Sequence, residues 1–265
     1  MGEVSGVAAS RKNAHILWMV NDSGNAPTLY AVRPNGTLMA DFPLKGIKNT
    51  DWEDMSGFSH NAIDYLVIAD VGDNKARRHQ CSLIFIPEPA LTAARGGHPI
   101  TDWWQMKFKY DNGPRDCESV AVDTAKRILL LSKRDKYPIL YQLPLIFPPK
   151  DIVYTAKFVA RLTTLPKPIP FDLMYNRYQP TSMALSSNGC TLVILSYTHA
   201  YLFNRQQCQT WQDAFNTPPT AILLPLPETG ELIQREALCI DHQTGALFVT
   251  TEKIPAPIYR IDPAN

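Results

Sequence analysis

Three glutamates occupy one recurring position in this chain, and two hydroxyl-bearing residues occupy the same position elsewhere. Glu53 opens the segment EDMSGF, Glu118 opens ESVAVD and Glu236 opens EALCID, while Ser5 opens SGVAAS and Thr181 opens TSMALS. Brought together, these residues form an all-oxygen set without Cys or His, suited to a hard cation. Calcium fits such a set best, because it accepts six to eight oxygens in loose geometry whereas magnesium demands a tighter octahedron. Three carboxylates in a narrow space also repel one another, so that without compensation at least one takes up a proton. The metal-free alternative is a solvated channel in which Arg115 or Arg235 pairs with the glutamates.

What brings the five positions together is a repeat. The five segments are spaced by 48, 65, 63 and 55 residues, and periods of that size indicate propellers or arrays. Each segment is followed by an apolar run (ILWMV from Ile16, YLVIA from Tyr65, ILLLS from Ile128, LVILS from Leu192, LFVTT from Leu247) and then by an aromatic-rich one such as TLYAV from Thr28. Their length and β-branched or aromatic content read as buried strands bounded by Gly, Asp, Asn and Pro turns. Fourth strands are expected at 37–42, 104–110, 154–162 and 220–226, and none follows Asp262. The expected fold is therefore all-β, a five-bladed β-propeller with four-stranded antiparallel blades around a central channel and an incomplete last blade. The repeat runs through inserts such as 87–100 and 166–180, so residues 1–265 read as a single domain. Helical character is expected only for a turn or two near 206–214.

In an up-and-down meander the start of the first strand and the end of the second lie on one face. Ser5, Glu53, Glu118, Thr181 and Glu236 are thus expected at the channel mouth, as metal ligands. Around them come the loops after the second strands, with Asp22, the Asp70–Asn74 segment DVGDN, Lys133, Arg134 and Glu252, and loops before the first strands with Asp51 and Arg115. Asp70, Asp73 or Glu252 would orient or deprotonate a water, Lys133 or Arg134 would neutralise charge developing on a substrate, and Asp22, Asn74 and Arg115 would contact that substrate. Lys133 is expected out in its loop, with little bearing on stability.

Composition is that of an ordinary globular chain, 45% hydrophobic and 19% charged. A net charge of +1 argues against a nucleic-acid partner, and no apolar run reaches the roughly 18 residues that cross a bilayer. The signatures GxSxG, GxxxxGK[ST] and HExxH are absent. The five cysteines show no zinc spacing; Cys190 with Cys208, or Cys81 with Cys117, are candidate bridges, and five reduced thiols are the alternative. The first repeat begins within five residues of Met1, which suggests a removed leader and a periplasmic or secreted location.

The order hydroxyl, Glu, Glu, hydroxyl, Glu at the starts of five repeats resembles the calcium-activated apyrases, five-bladed propellers that hydrolyse nucleoside diphosphates with calcium in the central channel. The resemblance implies ligand roles for Ser5, Glu53, Glu118, Thr181 and Glu236. NDSGNAPTLYAV from Asn21 and CESVAVDTAKRILLLSKRDKYPILY from Cys117 are similar to that family's first and third blades. The first-blade turn, which there carries two aspartates and an arginine, reads Asn21-Asp22-Ser23 here. The chain also looks like uncharacterised bacterial propellers with NDSG, DWED and DxGDN motifs, present at Asn21, Asp51 and Asp70. Two functions follow as expectations. One is a calcium-dependent hydrolase, apyrase-like, acting on nucleotides or other phosphorylated or anionic small molecules. The other is a non-catalytic propeller with a structural cation that binds a ligand, glycan or protein partner on its channel face.

Overall fold

The computed structural model describes residues 2–91, 97–165, 179–206, 209–225, 234–252 and 256–263. The chain lays down antiparallel strands in the order in which they occur. The first sheet is β1 (Val4–Ala9), β2 (Leu17–Asn21), β3 (Thr28–Val32) and β4 (Leu38–Pro43). Next come β5 (Trp52–His60), β6 (Ile63–Asp70), β7 (Cys81–Pro87) and β8 (Trp104–Tyr110), and after them β9 (Cys117–Asp123), β10 (Arg127–Ser132), β11 (Ile139–Pro144) and β12 (Val153–Arg161). These eight form one sheet, because β8 pairs in parallel with β12 from Lys107 opposite Val153 to Tyr110 opposite Ala156. A third sheet holds β13 (Ser182–Leu185), β14 (Thr191–Leu195), β15 (His199–Asn204) and β16 (Thr220–Leu223). The last, three-stranded, holds β17 (Arg235–Ile240), β18 (Leu247–Thr251) and β19 (Ile258–Ile261).

The first strands close a ring: β1 contacts β5, β5 contacts β9, β9 contacts β13, β13 contacts β17 and β17 returns to β1. Up-and-down sheets set around such a ring make a β-propeller. The second strands are buried on both faces, as LWMVN in β2 shows. An outer strand such as β8, WQMKFKY, alternates exposed and buried positions because only one face is covered. Regular helix among the described residues is one turn, α1 (Trp211–Ala214), capped by Thr210 and Asp213.

The expected strands form, with one difference in how they associate. Separate units, four-stranded except for an incomplete last one, were expected, but the second and third share a seam at β8 and β12. Pairing there satisfies outer-edge backbone groups that would otherwise lie open. Cys81 and Cys117 are buried free thiols, so the bridge considered between them is not formed; burial pushes the Cys81 thiol up to about 12. Cys208 lies outside the described residues. No described helix is long and apolar enough to cross a membrane.

The ring is stitched from inside by one carboxylate. Asp54, in β5, is fully buried and accepts the Val120 N–H of β9 at 2.9 Å, the Ser182 hydroxyl of β13 at 3.1 Å and the Met183 N–H at 3.4 Å. Ser182 Oγ in turn accepts the Leu238 N–H of β17 at 3.1 Å. On the remaining side β1 comes so close that a Cβ on Gly6 would lie 2.9 Å from the Asp54 carbonyl carbon and the Met55 nitrogen. The Asp54 side chain thus joins β5 to β9 and β13 directly, with β17 reached through Ser182 and β1 packed against the Asp54 backbone. Replacing Asp54 with alanine strands two buried N–H groups and a buried hydroxyl, each worth about 1–3 kcal/mol. Asp54→Ala is expected to lower the urea midpoint by about 3 kcal/mol of stability or more at an unchanged slope; a shift under about 1 kcal/mol would mean that water replaces the carboxylate.

Candidate functional site

At the mouth the first strands share a second device. The β1–β2 register skips from Val4 to Gly6, the β5–β6 register from Trp52 to Asp54 and the β17–β18 register from Arg235 to Ala237. In β9 the shift falls between Ser119 and Cys117. The extra residue of each bulge is Ser5, Glu53, Glu236 and Glu118. A bulge leaves one residue out of the ladder and re-aims its side chain, and all four of these residues line one cavity of about 210 Å³. No such shift occurs between β13 and β14. Thr181 accordingly is not among the lining residues; its buried hydroxyl donates to the Arg235 carbonyl at 2.6 Å.

Loops complete the wall with Asp22, Asn74, Lys133, Arg134, Tyr197 and Glu252. The Asp22 turn is held by Asn49, whose amide donates to the carbonyls of Asn21 and Asp22 at 3.0 and 2.8 Å. Behind it the Asp70–Asn74 loop is clamped by Arg78. That guanidinium pairs with Asp70 at 2.7 Å and donates to the Gly72 carbonyl at 2.8 Å, while the Arg78 N–H donates to Asp73 at 2.6 Å. Asp70 and Asp73 are thus engaged with Arg78 and do not line the mouth cavity. Gly72 leaves room for a close approach, since a Cβ there would overlap the carboxylates of Glu53 and Asp51 and displace them.

The acids divide into two sets. Lys133, 6% exposed, places its Nζ 2.9 Å from Glu118 and 3.8 Å from Glu236, and 5.7 Å from the centre of the Tyr197 ring. It is a buried counter-ion and not the outlying loop residue expected from the sequence. The arginines considered for that task are elsewhere. Arg115 bonds the Tyr141 hydroxyl at 3.1 Å and faces Asp135 at 3.8 Å, and Arg235 donates to the Tyr197 carbonyl at 2.5 Å beside the Tyr259 ring. Ligand oxygens of Asp22, Asp51 and Glu53 all lie within 4.8 Å of one another, and Glu53 adjoins Glu118, so the two sets touch. The Ser5 hydroxyl, on the cavity wall that Asp22 and Glu53 also line but Asp51 does not, is buried and has no hydrogen-bond partner among the described residues. Asp51 and Tyr197 were not singled out as site residues, although Asp51 stands in the quoted DWED motif and Tyr197 occupies the loop position that Lys133 and Glu252 hold in their units.

Burial is the main cause of raised carboxyl pKa values here. It pushes Glu53 well above its usual range, with repulsion from Glu118, Asp22 and Asp51 adding to it. Glu236 is pushed up to about 8, against the pull of Lys133, and Asp22, Asp51 and Glu118 are raised as well. Lys133 is raised by its two glutamates despite burial, so the ammonium stays charged and the excess acid is what protonates. Arg134, at the rim, pairs with Asp116 at 2.5 Å and reaches Asn74.

No protein-family model matches the chain, and no curated protein sequence matches it. Among solved structures, the major allergen Mala s 1 of Malassezia sympodialis is 11% identical over 97% of this chain and 92% of its own, with a TM-score of 0.56. Looser likenesses are a catalytically inactive virginiamycin B lyase from Staphylococcus aureus with quinupristin (9% identity, 100% of this chain, 71% of the lyase, TM-score 0.43) and the PQQ-bound aldose sugar dehydrogenase from Streptomyces coelicolor (10%, 95% and 89%, TM-score 0.45). At these identities the Mala s 1 likeness is one of fold alone, and the two looser ones carry no argument.

Two measurements test this electrostatic arrangement. An acid whose pKa is raised on folding binds protons that the unfolded chain has released, so stability falls as pH rises between the two values. In chelator the melting temperature is expected to fall from pH 5 to pH 8, the window between a free glutamate and Glu236; a rise across that window would contradict the raised carboxyls. Lys133→Met removes the counter-ion from a buried pair and is expected to cost about 3–5 kcal/mol at pH 8. The loss should shrink at pH 5, where Glu236 carries a proton, and an equal loss at both pH values would point to packing alone.

Proposed function

We propose that this chain is a five-bladed propeller that holds calcium at its channel mouth and hydrolyses a small phosphorylated or otherwise anionic molecule there. The eight-stranded sheet counts as two blades in this reading, since β5 and β9 each open a four-strand meander at the ring. The observation that carries the cation is the Asp22, Asp51 and Glu53 cluster, with the buried hydroxyl of Ser5, which has no hydrogen-bond partner among the described residues, on the cavity wall that Asp22 and Glu53 share. Oxygen donors of this kind suit calcium, and carboxylates that close favour a cation over mutual repulsion. The resemblance to calcium-activated apyrases at Ser5, Glu53, Glu118 and Glu236 points the same way, with Lys133 already serving Glu118 and Glu236.

Calcium, when bound, supplies a Lewis acid for a phosphoryl or carbonyl oxygen. The chain's own residues do the rest. Asp22, Asp51, Glu53 and Ser5 hold the ion, and Gly72 leaves room for two of those carboxylates. Arg134, half-exposed at the rim beside Asn74, receives the anionic group. Glu252, on the cavity wall near Asp22, takes the proton of the attacking water. Lys133 keeps Glu118 and Glu236 from repelling an anionic substrate. A non-catalytic reading, with the cation as a rivet and the face binding a ligand, glycan or protein, is favoured by the engagement of Asp70 and Asp73 with Arg78.

Calcium titration of the chelated protein is the direct test. Saturable binding is expected, raising the melting temperature by mass action, with Asp51→Asn and Gly72→Ala each weakening it at least tenfold, roughly 1.4 kcal/mol. The absence of binding at millimolar calcium would falsify the cation site. Nucleoside diphosphates and phosphate esters should then turn over only with calcium and lose turnover in Arg134→Ala. Calcium binding without turnover of any of them would leave the rivet reading.

A further inference from the structure

The end of the channel away from the mouth has the opposite charge. There the β1–β2 loop, the β5–β6 turn and the β9–β10 turn surround a cavity of about 320 Å³, floored by Phe58, Val122 and Leu145. Arg11 and Ser187 stand at its edge and also line a smaller cavity of about 40 Å³ at the foot of the channel. Lys126 and His60 are further along the wall.

The carboxylates that could neutralise Arg11 are committed to other partners. Asp123, which lines the same cavity, accepts from Arg127 at 2.8 Å and from Arg205 at 2.9 Å, and its side chain has no exposure. Glu88 accepts the Trp18 indole N–H at 2.9 Å, the Arg11 and Lys12 backbone N–H groups at 3.1 and 3.2 Å, and the Ser10 hydroxyl. Arg11 therefore holds Glu88 through its backbone, while its guanidinium forms no ion pair among the described residues. A half-buried guanidinium without a counter-ion, at the edge of an apolar-floored cavity with a lysine on its wall, matches a carboxylate or phosphate in charge and in donor geometry.

We propose that this cavity is a second, anion-selective binding site, distinct from the mouth. It takes a small organic anion whose phosphate or carboxylate meets Arg11 and Lys126 and whose compact apolar body rests on Phe58, Val122 and Leu145. Phenyl phosphate and benzoate are suitable probes for the two head groups, and inorganic phosphate reports what the head group contributes alone.

The test is calorimetric or NMR titration of the whole chain in chelator, which keeps calcium out of the mouth. Phenyl phosphate or benzoate is expected to bind, with inorganic phosphate weaker than phenyl phosphate. Arg11→Gln should weaken binding at least tenfold and Lys126→Gln severalfold, each with a melting temperature close to that of the parent. Asp51→Asn should leave binding unchanged. The proposal is overturned if neither organic anion binds at millimolar concentration, if Arg11→Gln binds as well as the parent, or if Arg134→Ala removes the binding. The last result would assign the anion to the mouth. Because no calcium is present, failure here leaves the proposed mouth chemistry standing, and failure of that chemistry leaves this site standing.

Discussion

A buried carboxylate with nowhere to send its charge sets the terms for this fold. Asp54 is shut inside the ring of first strands, and burial raises its pKa well above the usual range despite the N–H and hydroxyl groups turned toward it. Such a group is tolerated only when its lone pairs are met. Meeting them requires Val120, Ser182 and Met183 to arrive from two other strands. The ring thereby acquires a register: a strand shifted by one residue would present a side chain where Asp54 needs a donor. Hydrophobic packing between neighbouring sheets is abundant but non-directional, and the polar contacts fix which residues meet.

The mouth follows from that register. With Asp54 and its counterparts Gly6, Ser119, Ser182 and Ala237 turned into the ring, the preceding residue in a regular strand would face the opposite way. The bulges at Ser5, Glu53, Glu118 and Glu236 remove that conflict. The acids thus stand above a polar plug of the ring's own making, in surroundings dry enough to raise their pKa values and to make one buried lysine matter.

Much of this was legible in the sequence, and the parts that were not share a cause. Apolar runs such as ILLLS and LFVTT announce buried strands because their composition is local information. The seam between β8 and β12 is not, since WQMKFKY and VYTAKFVAR carry no mark of each other. The mouth positions could be found because a repeat aligns them. That Thr181 turns aside to the Arg235 carbonyl depends on a bulge absent from its strand, and bulges leave no pattern in one sequence. Lys133 was read as a loop residue from its place after ILLLS, yet a long side chain goes where charge attracts it, and Glu118 lies 2.9 Å away. Asp51 and Glu53 were visible as neighbours in DWED, but their convergence with Asp22 depends on the Asn49 contact and on the space left by Gly72.

The seam between β8 and β12 also has a mechanical meaning. It joins the meanders opened by β5 and β9 into one continuous plate, and that plate carries Asp51, Glu53, Gly72, Glu118, Lys133 and Arg134. Ser5 and Asp22 stand on the first sheet, Tyr197 on the third and Glu236 and Glu252 on the last. The mouth is thus built across two kinds of boundary: hydrogen-bonded sheet runs without a break through the plate, whereas the first strands of the remaining sheets meet it by packing and by the contacts at Asp54. The contact from Lys133 to Glu118 lies within the plate, whereas those from Glu53 to Asp22 and from Lys133 to Glu236 cross from one sheet to another.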